Sequence, residues 1–373
     1  MTLSGPNSPI LKTQDAIPAA TSAGEPARLV VDLAALRHNY STLCALAPGA
    51  RCAAVVKADA YGLDAGRIAS TLHDAGCDIF FTATPDEGVE VRRAAGQAST
   101  VFVLNGYQSG THGFLASHGL IPVISSADSL QAFHREGGGP FALHVDTGMN
   151  RLGLTVSEAL DLPAAHKAGL QLVMSHLACS DVPDHPMNTR QLERFRTVLK
   201  SFPGIPASLS NTGGVLLGLD YHFDILRPGI GLYGVNPATE QAAPFRPVLH
   251  VDAPILQIRQ VPAGDTIGYG ARYTAQNERS VAIAAFGYAD GLPRAAWQSG
   301  TARLGNITVP LAGMVSMDLT ALDITGHEAL ARASGRVQFY GEDLGPVAGA
   351  SGTIGYELLV RLGQRLKREY RGQ

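Results

Sequence analysis

A lysine follows a short run of small and apolar residues early in the chain. Residues 52–56 read CAAVV, Lys57 comes next, and Tyr61 follows four residues later. A lysine at the end of a buried strand is a solvated rim residue, a point charge for a phosphate, or an amine whose desolvation lowers its pKa for Schiff-base formation. The apolar run favours the Schiff-base amine. Tyr61 is then a partner of a phosphate or of the lysine, or an ordinary loop aromatic.

Polar and cationic side chains follow later apolar runs in the same way. They are His144, Asp146 and Arg151 around the fifth run, His176 in the sixth, Asn211 and Thr212 after the seventh, and Arg227 after the eighth. Strand ends are otherwise rich in the small turn-forming residues Asp, Gly, Ser and Asn. The set therefore indicates one rim on which a lysine, two arginines and histidines converge.

Glycine-rich turns follow the last two runs. The eighth run leads into RPGIGLYG, where Gly229 and Gly231 allow a close approach of the backbone, and residues 211–214 (NTGG) offer a hydroxyl and exposed amides. A phosphate site after the last two strands is usual in barrels of parallel strands. A Schiff-base lysine combined with a phosphate cradle is typical of a site for pyridoxal 5'-phosphate.

The elements that must position these residues are eight apolar runs with helical segments between them. The runs are AAVVK, DIFFTAT, TVFVLN, LIPVIS, FALHVDTG, LQLVMSHL, PASLSN and DILRPG. Segments such as 65–76 and 85–96 carry apolar residues at helical spacing. Alternation of strand and helix predicts an α/β fold, a (β/α)8 TIM-type barrel whose chemistry lies where the strands end. A doubly wound open sheet is the alternative.

The pattern changes near residue 244. From there the apolar runs are short and interrupted by Gly and Pro, which predicts a β-rich C-terminal domain over 245–373 after a barrel over 28–244. This domain closes with a helix-like stretch over 356–370. Residues 1–27 are rich in Pro, Ser, Ala and Gly and are expected to form a disordered tail.

Composition limits the possible partners. The 373 residues are 45% hydrophobic and 16% charged, with a formal charge of −3, which suits a large core and gives no reason to expect nucleic acid or a membrane as partner. No apolar run approaches the length of a bilayer span. The four cysteines form no CxxC pair, so we expect a reducing cytoplasm and no metal site.

An ordered set of motifs resembles the alanine racemase family over residues 27–370. The motifs are VVKADAYG, HVDTGMNRLG, SHLACSD, SNTGG, RPGIGLYG, YGARYTA, GYADGLPR, GMVSMDL and TIGYE. The resemblance implies a pyridoxal-phosphate barrel with a C-terminal β domain. It also implies a homodimer in which the β domain of each subunit completes the partner's site. The substrate would be a small amino acid, L-alanine converted reversibly to D-alanine.

The resemblance also implies roles for single residues. Lys57 would carry the cofactor as a Schiff base and serve the D-enantiomer, while Tyr288 of the other subunit would serve the L-enantiomer on the opposite face of the external aldimine. Nearby positive charge, with His176 as relay, would lower the pKa of Tyr288. Arg227 would face the pyridine nitrogen, leave it unprotonated and so discourage transamination.

The remaining positions would bind cofactor and substrate. The phosphate contacts would be Tyr61, Thr212, Gly229, Ile230 and Tyr356, with Asn211 beside them. Arg151 and the backbone amide of Met317 would bind the substrate carboxylate. The segment 269–273 would border the entry from the partner.

Two positions in the barrel depart from the family pattern. His144 stands where many members have a lysine, often carbamylated, that orients the arginine matching Arg151. A neutral histidine lacks that negative charge, so another group or an anion orients Arg151, or Arg151 is held more loosely. Thr212 replaces a serine and keeps its hydroxyl.

Three other interpretations compete with this one at the level of sequence. One is a different pyridoxal-phosphate barrel enzyme, such as a decarboxylase or a racemase of larger amino acids. Another is a protein that carries the cofactor without catalysis, and the third is a barrel with a structural lysine and no cofactor. The sequence also leaves open whether the role is biosynthetic or catabolic.

Overall fold

The computed structural model describes residues 25–237 and 244–372. Its strands are β1 (Arg28–Asp32), β2 (Arg51–Cys52), β3 (Ala54–Val55), β4 (Ile79–Thr82), β5 (Thr100–Val103), β6 (Leu120–Ile124), β7 (Phe141–Asp146), β8 (Leu154–Thr155), β9 (Leu170–Met174), β10 (Ala207–Ser208), β11 (Ile225–Leu226), β12 (Leu249–Val261), β13 (Thr266–Ile267), β14 (Tyr273–Thr274), β15 (Arg279–Ala284), β16 (Thr301–Leu304), β17 (Ile307–Pro310), β18 (Thr320–Asp323), β19 (Arg336–Tyr340) and β20 (Lys367–Arg371). Most of the expected tail, residues 1–24, lies outside the described residues. Ala27 is buried, so the packed chain begins before Arg28.

Helices alternate with the first strands and then become sparse. They are α1 (Leu33–Leu46), α2 (Lys57–Gly62), α3 (Ala65–Asp74), α4 (Pro85–Ala95), α5 (His112–Ser117), α6 (Ala127–Arg135), α7 (Val156–Leu160), α8 (Pro186–Leu199), α9 (Thr212–Leu217), α10 (Glu328–Ser334), α11 (Gly345–Ala350) and α12 (Gly355–Val360), with short 3-10 turns at Ala164–Lys167, Leu219–Tyr221, Ile230–Tyr233, Tyr269–Ala271 and Arg294–Gln298. Among the described residues, no helix has both the length and the apolar character needed to span a membrane.

The eight predicted runs all contain strands of one parallel barrel. Seven of them pair in the order β10–β9–β7–β6–β5–β4–β3. The eighth, β11, closes the ring: the amide of Arg227 donates to the carbonyl of Ser210 at 2.9 Å, and the amide of Val55 donates to that of Pro228 at 3.0 Å. Hydrogen bonds on both sides of β11 confirm the predicted barrel and exclude the open sheet.

The barrel strands are buried because helices cover the outer face. Every residue of β3 and β4 is buried, as expected for parallel strands packed on both sides. The covering helices start where the sequence supplies caps. At α4 the Thr84 hydroxyl accepts from the Glu87 amide and the Glu87 carboxylate accepts from the Thr84 amide.

The second sheet is mostly antiparallel and is built on the long strand β12. This strand pairs with β1, β15 and β19, while β20 lies parallel to β1 on the other side. The sheet thus includes a strand that precedes the barrel in sequence, because β1 finds its partners there. The predicted boundary at residue 245, between the barrel and the β-rich domain, stays a prediction.

The helix predicted over residues 356–370 is wrong in its second half. α12 ends at Val360, and Lys367–Arg371 form β20 instead. Gly363 interrupts the helix because it packs against the loop at 289–290: a Cβ there would lie 2.6 Å from the carbonyl oxygen of Ala289. Pairing with β1 then outweighs the local helical pattern.

Candidate active site

A cavity of about 720 Å³ lies at the carboxyl ends of the barrel strands. Eleven of the predicted site residues line it: Lys57, Tyr61, His144, Arg151, His176, Asn211, Thr212, Arg227, Gly229, Ile230 and Tyr356. Its size suits a small-molecule ligand. Tyr356 comes from α12 rather than from a barrel loop, so the cavity is shared by the two parts of the chain.

Lys57 and Tyr61 reach this cavity through a turn of left-handed helix. Ala58, Asp59, Ala60 and Tyr61 have φ values of 53°, 54°, 50° and 58°. Each L-residue in this conformation costs about 1–2 kcal/mol relative to a right-handed turn. Four in succession indicate a conformation that the surrounding structure imposes at a functional site.

Carboxylates and backbone bonds hold the left-handed turn. Glu87 accepts a hydrogen bond from the amide of Ala58 at 2.8 Å, and Asp59 accepts one from the amide of Ala65 at 2.7 Å. The amide of Ala60 donates to the carbonyl of Val56 at 2.9 Å. The turn is therefore tied to β3, α3 and α4 at once.

The environment of Lys57 favours its neutral form. Burial lowers the pKa of the amine, and the positive charges of Arg151 and Arg227 lower it further, while Glu87 opposes them. A neutral amine is the nucleophilic form of lysine. This is the property that the apolar run before Lys57 suggests.

Arg227 is buried and is held by oxygens that carry no formal charge. Its Nε donates to the Ser208 hydroxyl at 2.9 Å, and its Nη2 donates to the carbonyls of Leu209 at 3.2 Å and of Ser175. Its guanidinium carbon lies 5.8 Å from the centre of the Phe81 ring. Burial lowers the pKa of Arg227 to about 9, so the group is still a cation at neutral pH.

Both histidines of the cavity are neutral at neutral pH. Burial lowers the pKa of His144 to about 4, with Arg227 and Arg151 adding to the effect. Burial and the same two arginines hold the pKa of His176 well below its usual range. The positive charge near these histidines therefore lies on Arg151 and Arg227, not on His176.

Arg151 differs from Arg227 in being exposed. Within residues 25–237 and 244–372 it has no hydrogen bond or ion pair, while it lies close enough to affect the pKa of Lys57 and His144. This is the arrangement expected if His144 leaves the arginine loosely held. An anionic ligand entering the cavity would supply its missing partner.

Hydroxyl groups and a glycine-rich loop line another part of the cavity. Thr212 Oγ1 accepts hydrogen bonds from the amides of Gly229 and Gly231, each at 3.2 Å, so its own hydrogen is free to be donated to a ligand. A Cβ at Gly229 would lie 2.3 Å from the Tyr61 hydroxyl, so only glycine fits there. Asn211 caps α9 by accepting from the amide of Gly214 at 2.9 Å.

The donor set fits pyridoxal 5'-phosphate. Lys57 provides an amine for the aldehyde, and the hydroxyls of Tyr61 and Thr212, beside Gly229, provide donors for a phosphate. Arg227 provides a fixed donor deep in the cavity. The described lining contains one carboxylate, Glu357, which is paired with Arg361 at 2.6 Å, so the cavity favours an anionic ligand.

Two predicted residues lie elsewhere. Tyr288 and Met317 are on loops of the second sheet, 42% and 53% exposed, and do not line the cavity of their own chain. The two loops are joined: the amide of Tyr288 donates to the carbonyl of Ser316, and that of Ala289 to the carbonyl of Met317, both at 3.0 Å. The two residues therefore form one exposed surface.

The sequence reading missed the residues that hold the site. Glu87 carries a helix-start signal, but nothing in its spacing shows that it also binds the amide of Ala58. Ser208 lies in the predicted seventh run, where it resembles an ordinary strand residue, although it orients Arg227. Such contacts join distant segments and leave no local pattern.

Models of two protein families match the chain. The alanine racemase N-terminal domain matches residues 31–237, and the alanine racemase C-terminal domain matches residues 248–370. A protein of Agrobacterium fabrum named "Alanine racemase, catabolic" is 43% identical over 361 residues, covering 94% of this chain and 93% of the relative. An alanine racemase of Methylobacterium nodulans is 44% identical over 355 residues, covering 92% of this chain and 96% of the relative.

Solved structures agree with this relationship. The alanine racemase of Bartonella henselae, determined with covalently bound pyridoxal phosphate, has a TM-score of 0.88 and 34% identity over 93% of this chain and 99% of its own. The biosynthetic alanine racemase of Pseudomonas aeruginosa has a TM-score of 0.86 and 34% identity over 93% and 100%. The similar proteins thus include both catabolic and biosynthetic enzymes.

Proposed function

The chain belongs to the alanine racemase family, and we propose that Lys57 and the partner subunit's Tyr288 exchange the α-proton of alanine from opposite sides. The reaction is the reversible racemisation of L- and D-alanine with pyridoxal 5'-phosphate as cofactor. The observation that carries the residue assignment is the cavity in which a lysine with a lowered pKa lies beside the buried cation Arg227.

The cofactor would be held at three points. Lys57 would hold it covalently. The phosphate would accept hydrogen bonds from the hydroxyls of Tyr61, Thr212 and Tyr356 and from the amide of Ile230, with Asn211 fixing α9 beside them. Gly229, whose amide donates to Thr212, would let the backbone approach the phosphate closely. Arg227 would donate to the ring nitrogen. When bound, pyridoxal 5'-phosphate withdraws electrons from Cα of an amino acid and makes its proton removable.

The proton transfers follow from the two bases. Lys57, once its amine is free, takes the α-proton of D-alanine or returns one to the same face. Its lowered pKa makes the neutral, proton-accepting form of the amine easier to reach. Tyr288, as a phenolate, does the same for L-alanine. Neutral His176 would donate a hydrogen bond to the phenolate and accept one from Arg227, which connects the tyrosine to that positive charge.

The substrate carboxylate would be bound from both subunits. Arg151 has no carboxylate partner within the described residues and lies at the mouth of the cavity. The amide of Met317 would donate from the partner. Replacement of the usual carbamylated lysine by neutral His144 leaves Arg151 dependent on the substrate for its position.

A homodimer with shared sites accounts for the separation of these residues. Leu152, Ile354 and Val360 are exposed apolar residues at the cavity mouth, at 45%, 61% and 47%. Tyr288 and Met317 are exposed on the second sheet of the same chain. If the surface with Tyr288 and Met317 of one subunit docks on the cavity mouth of the other, both surfaces become buried. Two-fold symmetry then completes two sites in the dimer.

The product D-alanine suits peptidoglycan synthesis, and the reverse direction suits its catabolism. The four cysteines, Cys44, Cys52, Cys77 and Cys179, are all free thiols. This supports a reducing cytoplasm as the compartment.

Complementation between two inactive variants tests the shared site. Lys57→Ala and Tyr288→Phe are each expected to abolish racemisation, measured by chiral separation of L- and D-alanine. Co-expressed with different tags, they form heterodimers with one intact site, so about one quarter of the wild-type activity returns at random assortment. If both bases act within one chain, the mixture stays inactive.

A further inference from the structure

Arg365 joins the two exposed loops of the second domain. Its Nε donates to Asp290 at 2.5 Å and its Nη2 to the other oxygen of Asp290 at 3.0 Å, a bidentate pair. The same Nη2 lies 2.7 Å from Asp318. Both carboxylates raise the pKa of Arg365, which therefore stays charged.

The two aspartates are next to the residues proposed to act in the partner's site. Asp290 follows Tyr288 by two positions, and Asp318 directly follows Met317. Asp290 is buried and its carboxylate also accepts from the amide of Gly287 at 2.9 Å, which closes the loop around Tyr288. One guanidinium therefore adds a side-chain bridge between the loop of Tyr288 and the loop of Met317, which the backbone amides of Tyr288 and Ala289 already join.

The two loops also pack closely through their backbones. A Cβ at Gly287 would lie 2.4 Å from the carbonyl oxygens of Ser316 and Met317. The amide of Gly363, in the segment that carries Arg365, donates to the carbonyl of Asp290 at 3.0 Å. Arg365 thus belongs to a segment packed on the tyrosine loop.

We propose that Arg365 is a positioning residue for racemisation, which sets the placement of Tyr288 and of the Met317 amide in the partner's site through Asp290 and Asp318. The proposal rests on the proposed function, because in the described part of the chain Tyr288 does not line the cavity of its own subunit. Since Ile354, Tyr356 and Val360 of the same segment line the chain's own cavity, residues 354–365 physically connect the two sites of a dimer.

The planar fork of arginine suits this task. It holds two carboxylates in fixed directions, whereas lysine offers a single ammonium on a flexible stem. A displacement of a catalytic group by about 1 Å can cost on the order of 100-fold in rate. Arg365→Gln is therefore expected to lower kcat by about 10- to 100-fold while cofactor absorbance stays at the wild-type level.

Isotope effects at Cα separate positioning from general damage. Tyr288 removes the deuteron from Cα-deuterated L-alanine, and Lys57 removes it from Cα-deuterated D-alanine. Misplacing Tyr288 makes its transfer more rate-limiting, so in Arg365→Gln the isotope effect on kcat rises with L-alanine and falls with D-alanine. Arg365→Lys is expected to recover part of kcat.

Arg196→Gln is the matched control. Arg196 pairs with Asp220 at 2.7 Å and its side chain is 50% exposed, against 2.7 Å to Asp318 and 51% for Arg365. It lies on the outer side of the barrel in α8, so loss of this pair is expected to leave kcat and both isotope effects unchanged.

Asp318→Asn, which removes one arm of the bridge, is the second variant and is expected to shift the isotope effects in the same direction by a smaller amount. Unchanged isotope effects in folded Arg365→Gln or Asp318→Asn overturn the proposal, as does a loss of kcat accompanied only by loss of cofactor.

Tyr288→Phe distinguishes failure of the proposed function from failure of the positioning role. If Tyr288→Phe keeps full activity, the proposed function fails. An inactive Tyr288→Phe with a normal Arg365→Gln rejects only the positioning role.

Discussion

The carboxylate of Glu87 accepts a hydrogen bond from the backbone amide of Ala58 at 2.8 Å, and this bond ties the start of α4 to the left-handed turn that carries Lys57 and Tyr61. The other oxygen of Glu87 accepts from the amide of Ala83 at 2.7 Å. One carboxylate thus caps a helix and fixes the strained turn of the active site. The strain and the contacts that support it can be tested separately.

Glycine at position 58 tests the strain. An L-residue in the left-handed conformation costs about 1–2 kcal/mol, and Ala58→Gly relieves this cost. The glycine adds a backbone entropy loss on folding of about 0.5–1 kcal/mol. The free energy of unfolding in urea is therefore expected to stay the same or rise by up to about 1.5 kcal/mol. Ala94→Gly in right-handed α4 is the control and is expected to lower it by about 0.5–1 kcal/mol. Equal destabilisation by both variants would contradict the account.

Removal of the Lys57 amine tests the covalent attachment. Lys57→Ala is expected to lose the long-wave absorbance of a lysine-bound cofactor and all detectable racemisation, because no other lysine lines the described part of the cavity. Lys200→Ala, an exposed lysine at the end of α8, serves as the control and should retain both. A Lys57→Ala protein that keeps the absorbance would place the attachment elsewhere.

The buried histidine predicts a pH dependence of stability. The pKa of His144 is about 4 in the folded chain, and about 6.5 is usual for an unfolded one. Between these values only the unfolded chain binds the proton, so the free energy of unfolding falls as the pH is lowered through this window. Between pH 7 and pH 5 the wild type is expected to lose about 2 kcal/mol more than His144→Gln. Parallel curves for the two proteins would show that His144 titrates normally when folded.

Restoring a lysine at position 144 tests the loose hold on Arg151. In His144→Lys the buried amine lies near two arginines, which favours its neutral form and hence uptake of carbon dioxide as a carbamate. With added bicarbonate we expect KM for L-alanine to change more than the affinity for pyridoxal 5'-phosphate, measured by titration of absorbance. His144→Gln with bicarbonate is the control. Unaltered KM in His144→Lys would argue against any role for this position.

Much of the barrel could be predicted from the sequence because its signals are local. Each strand is a short apolar run, and the polar residue that follows a run lies at the carboxyl end of its strand, where barrels of this type place their active sites. The order of the runs along the sequence is the order of the strands around the barrel. Lys57 and Arg227 could be assigned to one rim for that reason. Their convergence in one cavity follows from closure of the ring.

What the sequence did not reveal depends on contacts between distant segments. The alternation that makes 356–370 look helical is local, whereas β20 exists because β1 offers it an edge. The left-handed turn after Lys57 has no glycine until Gly62 and so lacks the usual signal for positive φ. The bridge from Arg365 to Asp290 and Asp318 spans three segments and has no pattern in any one of them.

The place of β1 in the second sheet has a consequence for synthesis of the protein. Arg28 leaves the ribosome before the barrel strands, yet its partner Asp252 is 224 residues away, and β20 is made after all of the barrel strands. The barrel strands can therefore assemble while the strand that precedes them still has no neighbour. Once made, β20 pairs with β1, so a ribosome that stops before Lys367 releases a chain in which this edge of the sheet is open, and an open edge favours aggregation.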